Sequence, residues 1–149
     1  MAIQAGDTAP DIKTNAFSLS GKRGKRVVLF FYPKSDTPGC TKEACEFRDA
    51  AKTFAKNDAV IVGLSPDEAP AQQKFATKYD LPFTLVPDPQ HAIAEAYGVW
   101  TEKSMYGRKY MGIDRSTFLI DSEGKIAAVW RKVNVPGHIE EVKAAIAEL

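Results

Sequence analysis

The chain has 149 residues, 44% of them hydrophobic and 26% charged, with a formal net charge of +1. That length and balance predict a single domain over residues 1–149 whose core needs no crosslinks, and the near-neutral charge excludes a global pull toward nucleic acid or membrane. No apolar run approaches membrane-spanning length, so any partner must be recognised locally.

The opening stretch MAIQAGDTAPDIK has neither a basic segment leading into an apolar core nor an Arg- and Ser-rich amphipathic pattern. No export or organelle signal is therefore expected. Two cysteines without such a signal point to the reducing cytoplasm, where a cysteine pair is more often catalytic or metal-binding than structural. Residues Gly6 to Lys25 read as short edge strands and turns forming an N-terminal hairpin. The basic cluster Lys22-Arg23-Gly24-Lys25-Arg26 is broken by glycine and reads as a solvated loop without function.

Arg26 to Tyr32 is a continuous run of β-formers, suited to a strand buried on both faces. Thr37 followed by Pro38 then signals a helix start, because threonine can cap an orphan amide and proline is pre-shaped for the first helical position. Phe47, Ala50, Ala51 and Phe54 give that helix a core-facing stripe. Ala59 to Leu64 reads as a second buried strand. Ser65-Pro66-Asp67-Glu68 reads as the cap and acidic first turn of a helix running to about Tyr79, with Phe75 inward.

Leu81 to Val86 is predicted as a shorter strand and Gln90 to Tyr97 as a short helix ended near Gly98. Thr101 to Asp114 is polar, aromatic and glycine-punctuated, and reads as a long loop. Ser116 to Asp121 and Ile126 to Trp130 flank the turn Ser122-Glu123-Gly124, a hairpin signal. His138 to Leu149 carries Ile139, Val142, Ala145, Ile146 and Leu149 on one face of a closing helix. Strands alternating with helices predict an α/β fold with a mixed, mostly parallel sheet covered on both faces, its late hairpin antiparallel. With a cysteine at the helix after the first central strand, that is a thioredoxin-like layout.

Both cysteines lie in the stretch YPKSDTPGCTKEACEFRD, Tyr32 to Asp49. Cys40 falls in the first turn of the predicted helix, where the helix end and its unpaired N–H groups favour a nucleophilic thiolate. On one regular helix, the Cα atoms of Cys40 and Cys45 would stand roughly 8.6 Å apart on nearly opposite faces. A disulfide needs about 4.4 to 6.8 Å, so this pair can bridge only if the helix locally unwinds. The spacing suggests a switch rather than a staple.

Pro33, Thr37 and Cys40 at these spacings resemble the active-site motif of peroxiredoxins, thiol peroxidases with a thioredoxin-type fold. TPGCTKEACEFRD is more closely similar to the atypical two-cysteine branch known as bacterioferritin comigratory protein or peroxiredoxin Q. The likeness extends to GDTAPDI, to SPD at Ser65, and to YGVW with RSTFLID. It implies that Cys40 is the peroxidatic cysteine, attacking a hydroperoxide to give a sulfenic acid. It implies that Arg115 and Thr37 hold the peroxide, and that Pro33 shapes and shields the loop. Further donors would be the backbone amides of Gly39 and Cys40, with Glu43 orienting Arg115. By the same likeness Cys45 is the resolving cysteine, forming an intramolecular disulfide that thioredoxin or another dithiol reductant reopens, in a cofactor-free monomer.

Other readings of these residues stay open on the sequence. Cys40 could be an inert buried cysteine, Arg115 a surface residue beside Asp114, Thr37 a simple cap, and Glu43 an exposed first-turn acid. Cys45 could be a helix residue that leaves Cys40 to an external thiol, since some relatives place the resolving cysteine in a later helix or lack one. A general thiol–disulfide oxidoreductase would usually carry CxxC, whereas residue 43 is glutamate. A redox sensor or holdase is the non-enzymatic alternative. His91 and His138 show no metal-site spacing and read as helix-start residues. Trp100, Tyr106 and Tyr110 read as core or rim packing, with a loop over the pocket as the alternative. No phosphate loop and no flavin or nicotinamide fingerprint is present, so no cofactor is expected.

Overall fold

The computed structural model describes residues 3–149; Met1 and Ala2, at the head of the stretch read for a targeting signal, lie outside the described residues. A short 3-10 turn at Ser20–Lys22 precedes β1 (Arg26–Phe31), α1 (Pro38–Lys56), β2 (Ala59–Ser65), α2 (Ala69–Lys78), β3 (Thr84–Pro87) and α3 (Ala92–Ala96). Then come β4 (Trp100–Met105), β5 (Arg108–Ile113), β6 (Ser116–Ile120), β7 (Ile126–Trp130) and α4 (His138–Ala147). The main sheet runs β3-β2-β1-β6-β7, and β4 pairs separately with β5.

The apolar run at Arg26–Phe31 becomes the middle strand because both of its faces are buried. It pairs in parallel with β2 and antiparallel with β6, and β2 pairs in parallel with β3. Val27, Leu29 and Phe31 point into one core layer with Ile12, Leu19, Tyr97 and Phe118. Val28, Phe30 and Tyr32 point into the other, against Cys40, Ala44, Phe47 and Phe54 of α1, Phe75 of α2 and Val142 of α4. The period-two alternation of a strand thus hands successive residues to opposite layers. The late hairpin forms as expected, β6 antiparallel to β7, with Gly124 at φ 86° in the turn.

Several predicted boundaries move. The N-terminal hairpin is pared to one bridge, Lys13 to Ser18, flanked by Leu19 N–H to Ile12 O at 2.9 Å. The Tyr97 hydroxyl donates to Pro10 O at 2.6 Å and secures this segment. α2 begins at Ala69 rather than at Ser65, which closes β2 and gives its hydroxyl to Asp67 Oδ2 at 2.8 Å. No acid then stands in the first turn of α2.

The largest correction is at Thr101 to Asp114, which is a β-hairpin and not a loop. Its turn, Tyr106-Gly107, has φ of 53° and 77°, the positive values of a tight primed turn whose twist suits two strands. Both of its faces are largely solvated, so no apolar alternation marks the strands in the sequence. Tyr106 is 97% exposed at the tip, while Trp100 stacks on His91 with ring centroids 4.1 Å apart. Tyr106 and Tyr110 are exposed on this ribbon, so neither packs in the core.

Candidate active site

The end of β1 delivers the chain into a turn, and Thr37 is the extended N-cap of α1, with Pro38 opening the helix. The Thr37 hydroxyl makes no capping bond; it donates to Lys34 O at 2.8 Å and closes the turn instead. The first helical bond is Thr41 N–H to Thr37 O, 2.8 Å, so the Gly39 and Cys40 amides have no intrahelical acceptor. Cys40 is thereby held in the first turn with its residue surface 1% exposed.

Arg115 arrives from the strand next to β1, just before β6, whose Ser116 pairs with Phe31. Its backbone is held by Val133 N–H to Arg115 O at 2.9 Å. One guanidinium arm, Nη2, donates to Cys40 Sγ at 3.1 Å; the other, Nη1, donates to Glu43 Oε1 at 2.6 Å. Glu43 is 1% exposed and the Arg115 side chain 17%. The reading of Glu43 as an exposed first-turn acid is therefore wrong: three residues after Cys40, it faces inward beside the cysteine, one helical step below it. A Cβ on Gly39 would stand 3.4 Å from Arg115 Nη2, so glycine there lets the guanidinium lie close to the helix start.

Burial pushes the Glu43 carboxyl up to about 7, against the pull of the Arg115 cation. Its second oxygen, Oε2, is buried without a partner. Desolvation pulls Arg115 down, but Glu43 and Cys40 more than offset it and hold the guanidinium above its ordinary value. The cation is thus fixed between a carboxylate that sets its plane and a sulfur that receives its charge. Near neutral pH the pair is poised, because protonating Glu43 removes the negative charge that strengthens its hydrogen bond to Arg115. Stopped-flow oxidation of wild type and Glu43→Gln should show this: the ratio of their rates is near one in acid, where the wild-type carboxyl is protonated. It rises to about tenfold through pH 7 as Glu43 ionises and its bond to Arg115 gains the carboxylate charge, the difference between a neutral and a charge-assisted hydrogen bond. A ratio that does not change with pH would remove Glu43 from the positioning of Arg115.

Pro33 is half-buried at the start of the turn. Cys45 lies outside this cluster, half-exposed on the same unbroken helix, and both cysteines are free. The residues that fasten the turn escaped the sequence reading. Ser35 N–H donates to Asp67 Oδ2 at 2.8 Å, and Lys78 Nζ and the Tyr79 hydroxyl each reach Asp36 at 2.9 Å. Only SPD at Ser65 gave any signal of them. His138 begins α4 as expected, but it is buried, with Nε2 2.8 Å from Thr117 Oγ1. Among the described residues no three His, Cys, Asp or Glu side chains are grouped to hold a metal ion.

A sheet that presents a buried cysteine at a helix start, against a fixed arginine, defines a thiol-based oxidoreductase of thioredoxin-like architecture. Residues 5–129 match the AhpC/TSA family. The chain is 47% identical to peroxiredoxin Bcp of Bacillus subtilis, over 100% of its own length and 98% of that protein. It is 50% identical to a putative peroxiredoxin bcp of Coxiella burnetii, over 95% and 97%. Among solved structures it is similar to the bacterioferritin comigratory protein of Xanthomonas campestris, studied for alkyl peroxide reduction in trapped intermediate and ligand complexes. That likeness has a TM-score of 0.85 and 40% identity, covering 89% of this chain and 84% of that one. The chain belongs to the AhpC/TSA family, among the Bcp or peroxiredoxin Q homologues, and is a thiol-dependent peroxidase.

Proposed function

We propose that Cys40 is the peroxidatic cysteine and Cys45 the resolving one, in a cycle that reduces hydrogen peroxide and organic hydroperoxides. The observation that carries this reading is the 3.1 Å contact of Arg115 Nη2 with Cys40 Sγ. The Cys40 thiolate attacks one peroxide oxygen, the O–O bond breaks, and the departing alkoxide or hydroxide takes a proton to leave as alcohol or water. Sulfur ends as the sulfenic acid, oxidised by two electrons. Arg115 and the free amides of Gly39 and Cys40 are the donors that stabilise oxygen charge as it forms, while the Thr37 hydroxyl, which gives its proton to Lys34 O, can accept a hydrogen bond from the peroxide O–H. Pro33 limits water at the turn.

The Cys45 thiolate then attacks the Cys40 sulfur, a hydroxyl leaves as water, and the disulfide closes. A dithiol reductant, thioredoxin by family likeness, reopens it by exchange and takes the disulfide itself. Organic substrates are supported by the alkyl peroxide reduction studied in the Xanthomonas campestris relative. All residues named come from one chain, which suits a monomer and a single functional domain over residues 1–149. Two free thiols and a dithiol donor suit a reducing compartment such as the cytoplasm.

The test is rapid-quench oxidation of the reduced protein, followed by NADPH-coupled turnover with thioredoxin and its reductase. The expected result is one peroxide consumed per chain in the absence of reductant, a sulfenic acid that gives way to a disulfide, and sustained turnover when thioredoxin is added. Reduction of insulin disulfides with no dependence on peroxide would favour a general thiol–disulfide oxidoreductase instead.

A further inference from the structure

We propose that the C-terminal end of α2 clasps both edges of the Cys40–Cys45 segment and sets how fast it unwinds to form the disulfide. The inference rests on the reading of Cys45 as the resolving cysteine. Its observation is a pair of bonds made by one residue. The Tyr79 hydroxyl donates to Asp36 Oδ1 at 2.9 Å, before Cys40, and the Tyr79 carbonyl accepts from Arg48 Nη1 at 2.8 Å, after Cys45. Lys78 Nζ adds a second bond to Asp36, at Oδ2, so both carboxylate oxygens are engaged.

The clasp stands on firm ground. α2 is anchored through buried Gln72, whose Nε2 donates to Ser65 Oγ at 2.8 Å and Val86 O at 2.9 Å, and through buried Phe75. The Tyr79 ring meets Phe75 edge-on with centroids 5.5 Å apart. What it grips is under tension: Asp36 has φ of 62°, in the left-handed region that costs a non-glycine residue energy unless its surroundings hold it. Releasing Asp36 lets the turn relax, so the bonds that hold it favour the folded, peroxide-ready helix start over the unwound one.

Timing follows from competition. A Cys40 sulfenic acid either meets Cys45, which requires unwinding, or meets a second peroxide and becomes a sulfinic acid. A tighter clasp slows the first path and leaves the second untouched. Tyr79 is thus a positioning residue that acts through Asp36 and Arg48, away from the peroxide.

Rapid quench with thiol alkylation and intact-mass detection separates sulfenic acid, disulfide and sulfinic acid. Tyr79→Phe, which keeps the ring and the carbonyl, is expected to speed disulfide formation about two- to fivefold, the weight of one exposed hydrogen bond to a charged group. Sulfenic acid formation stays at the wild-type rate, and the sulfinic yield in excess peroxide drops. Lys78→Met, which removes the second bond to Asp36, shifts the same partition in the same direction. Should disulfide formation be unchanged or slower in Tyr79→Phe and Lys78→Met, the clasp is overturned, provided that Cys45→Ser forms no disulfide and loses turnover. A Cys45→Ser protein that turns over like wild type would instead remove the resolving role, and the clasp with it.

Discussion

Cys40→Ser is expected to lose peroxide-dependent turnover by a factor of at least about 10⁴, or about 5.5 kcal/mol of barrier, while keeping its fold. The loss follows from chemistry more than from geometry. Sulfur can accept an oxygen and be oxidised by two electrons, whereas an alkoxide that attacked the O–O bond would only make another peroxide. The serine hydroxyl also lacks a base. The side chain bonded to the sulfur is the Arg115 guanidinium, which cannot take a proton. The substitution is nearly isosteric at a position 1% exposed, so far-UV dichroism should match wild type. Peroxide loss and coupled NADPH oxidation are the readouts. Only the slow reaction expected of an ordinary half-exposed thiol at Cys45 should remain, and retained turnover would dismiss Cys40 as the nucleophile.

What could be read from the sequence is what local pattern encodes. β1 was legible because a strand buried on both faces must be apolar throughout, and α1 because Thr37, Pro38 and the Phe47 to Phe54 stripe mark a start and a face. The polar ribbon β4–β5 was not, since solvated strands carry no alternation, and the Tyr106-Gly107 turn is not an Asn-Gly or Asp-Gly signature. The start of α2 was misplaced because Ser65 and Asp67 bind each other and the turn at Ser35 rather than the helix amides.

The active site divides in the same way. The helix-start position of Cys40 follows from neighbouring residues, but Arg115 is 75 positions away and was found only through the family likeness. Tyr79 lies 43 positions from Asp36, and no motif ties them. Glu43 could be placed beside Cys40 by helical spacing. Its burial could not be foreseen, because that depends on what the sheet brings opposite.

Cys45→Ser is expected to reduce catalysis to a single event: one peroxide consumed per chain, a sulfenic acid that persists at Cys40, and thioredoxin-supported turnover at background. The reason lies in a helix that cannot bridge its own cysteines. α1 is unbroken from Pro38, and helix geometry puts the two Cα atoms roughly 8.6 Å apart where a disulfide needs about 4.4 to 6.8 Å. Closing the bond must unwind the first turns. Unwinding as far as Cys45 releases Cys40, Glu43 and Ala44 from burial, but stops short of Phe47 and Phe54. Each of those aromatics contributes about 1.5–3 kcal/mol by staying buried, so the break should end before Phe47. Amide exchange from Thr41 to Glu46 is therefore expected to rise sharply when the wild-type protein is oxidised, with Ala50 to Lys56 unchanged. In Cys45→Ser, one equivalent of peroxide should leave the whole helix protected, because the sulfenic acid has no thiol to draw it open. Equal protection of the first turns in reduced and oxidised wild type would refute the unwinding, and sustained multiple turnover of the variant with thioredoxin would refute the resolving role of Cys45.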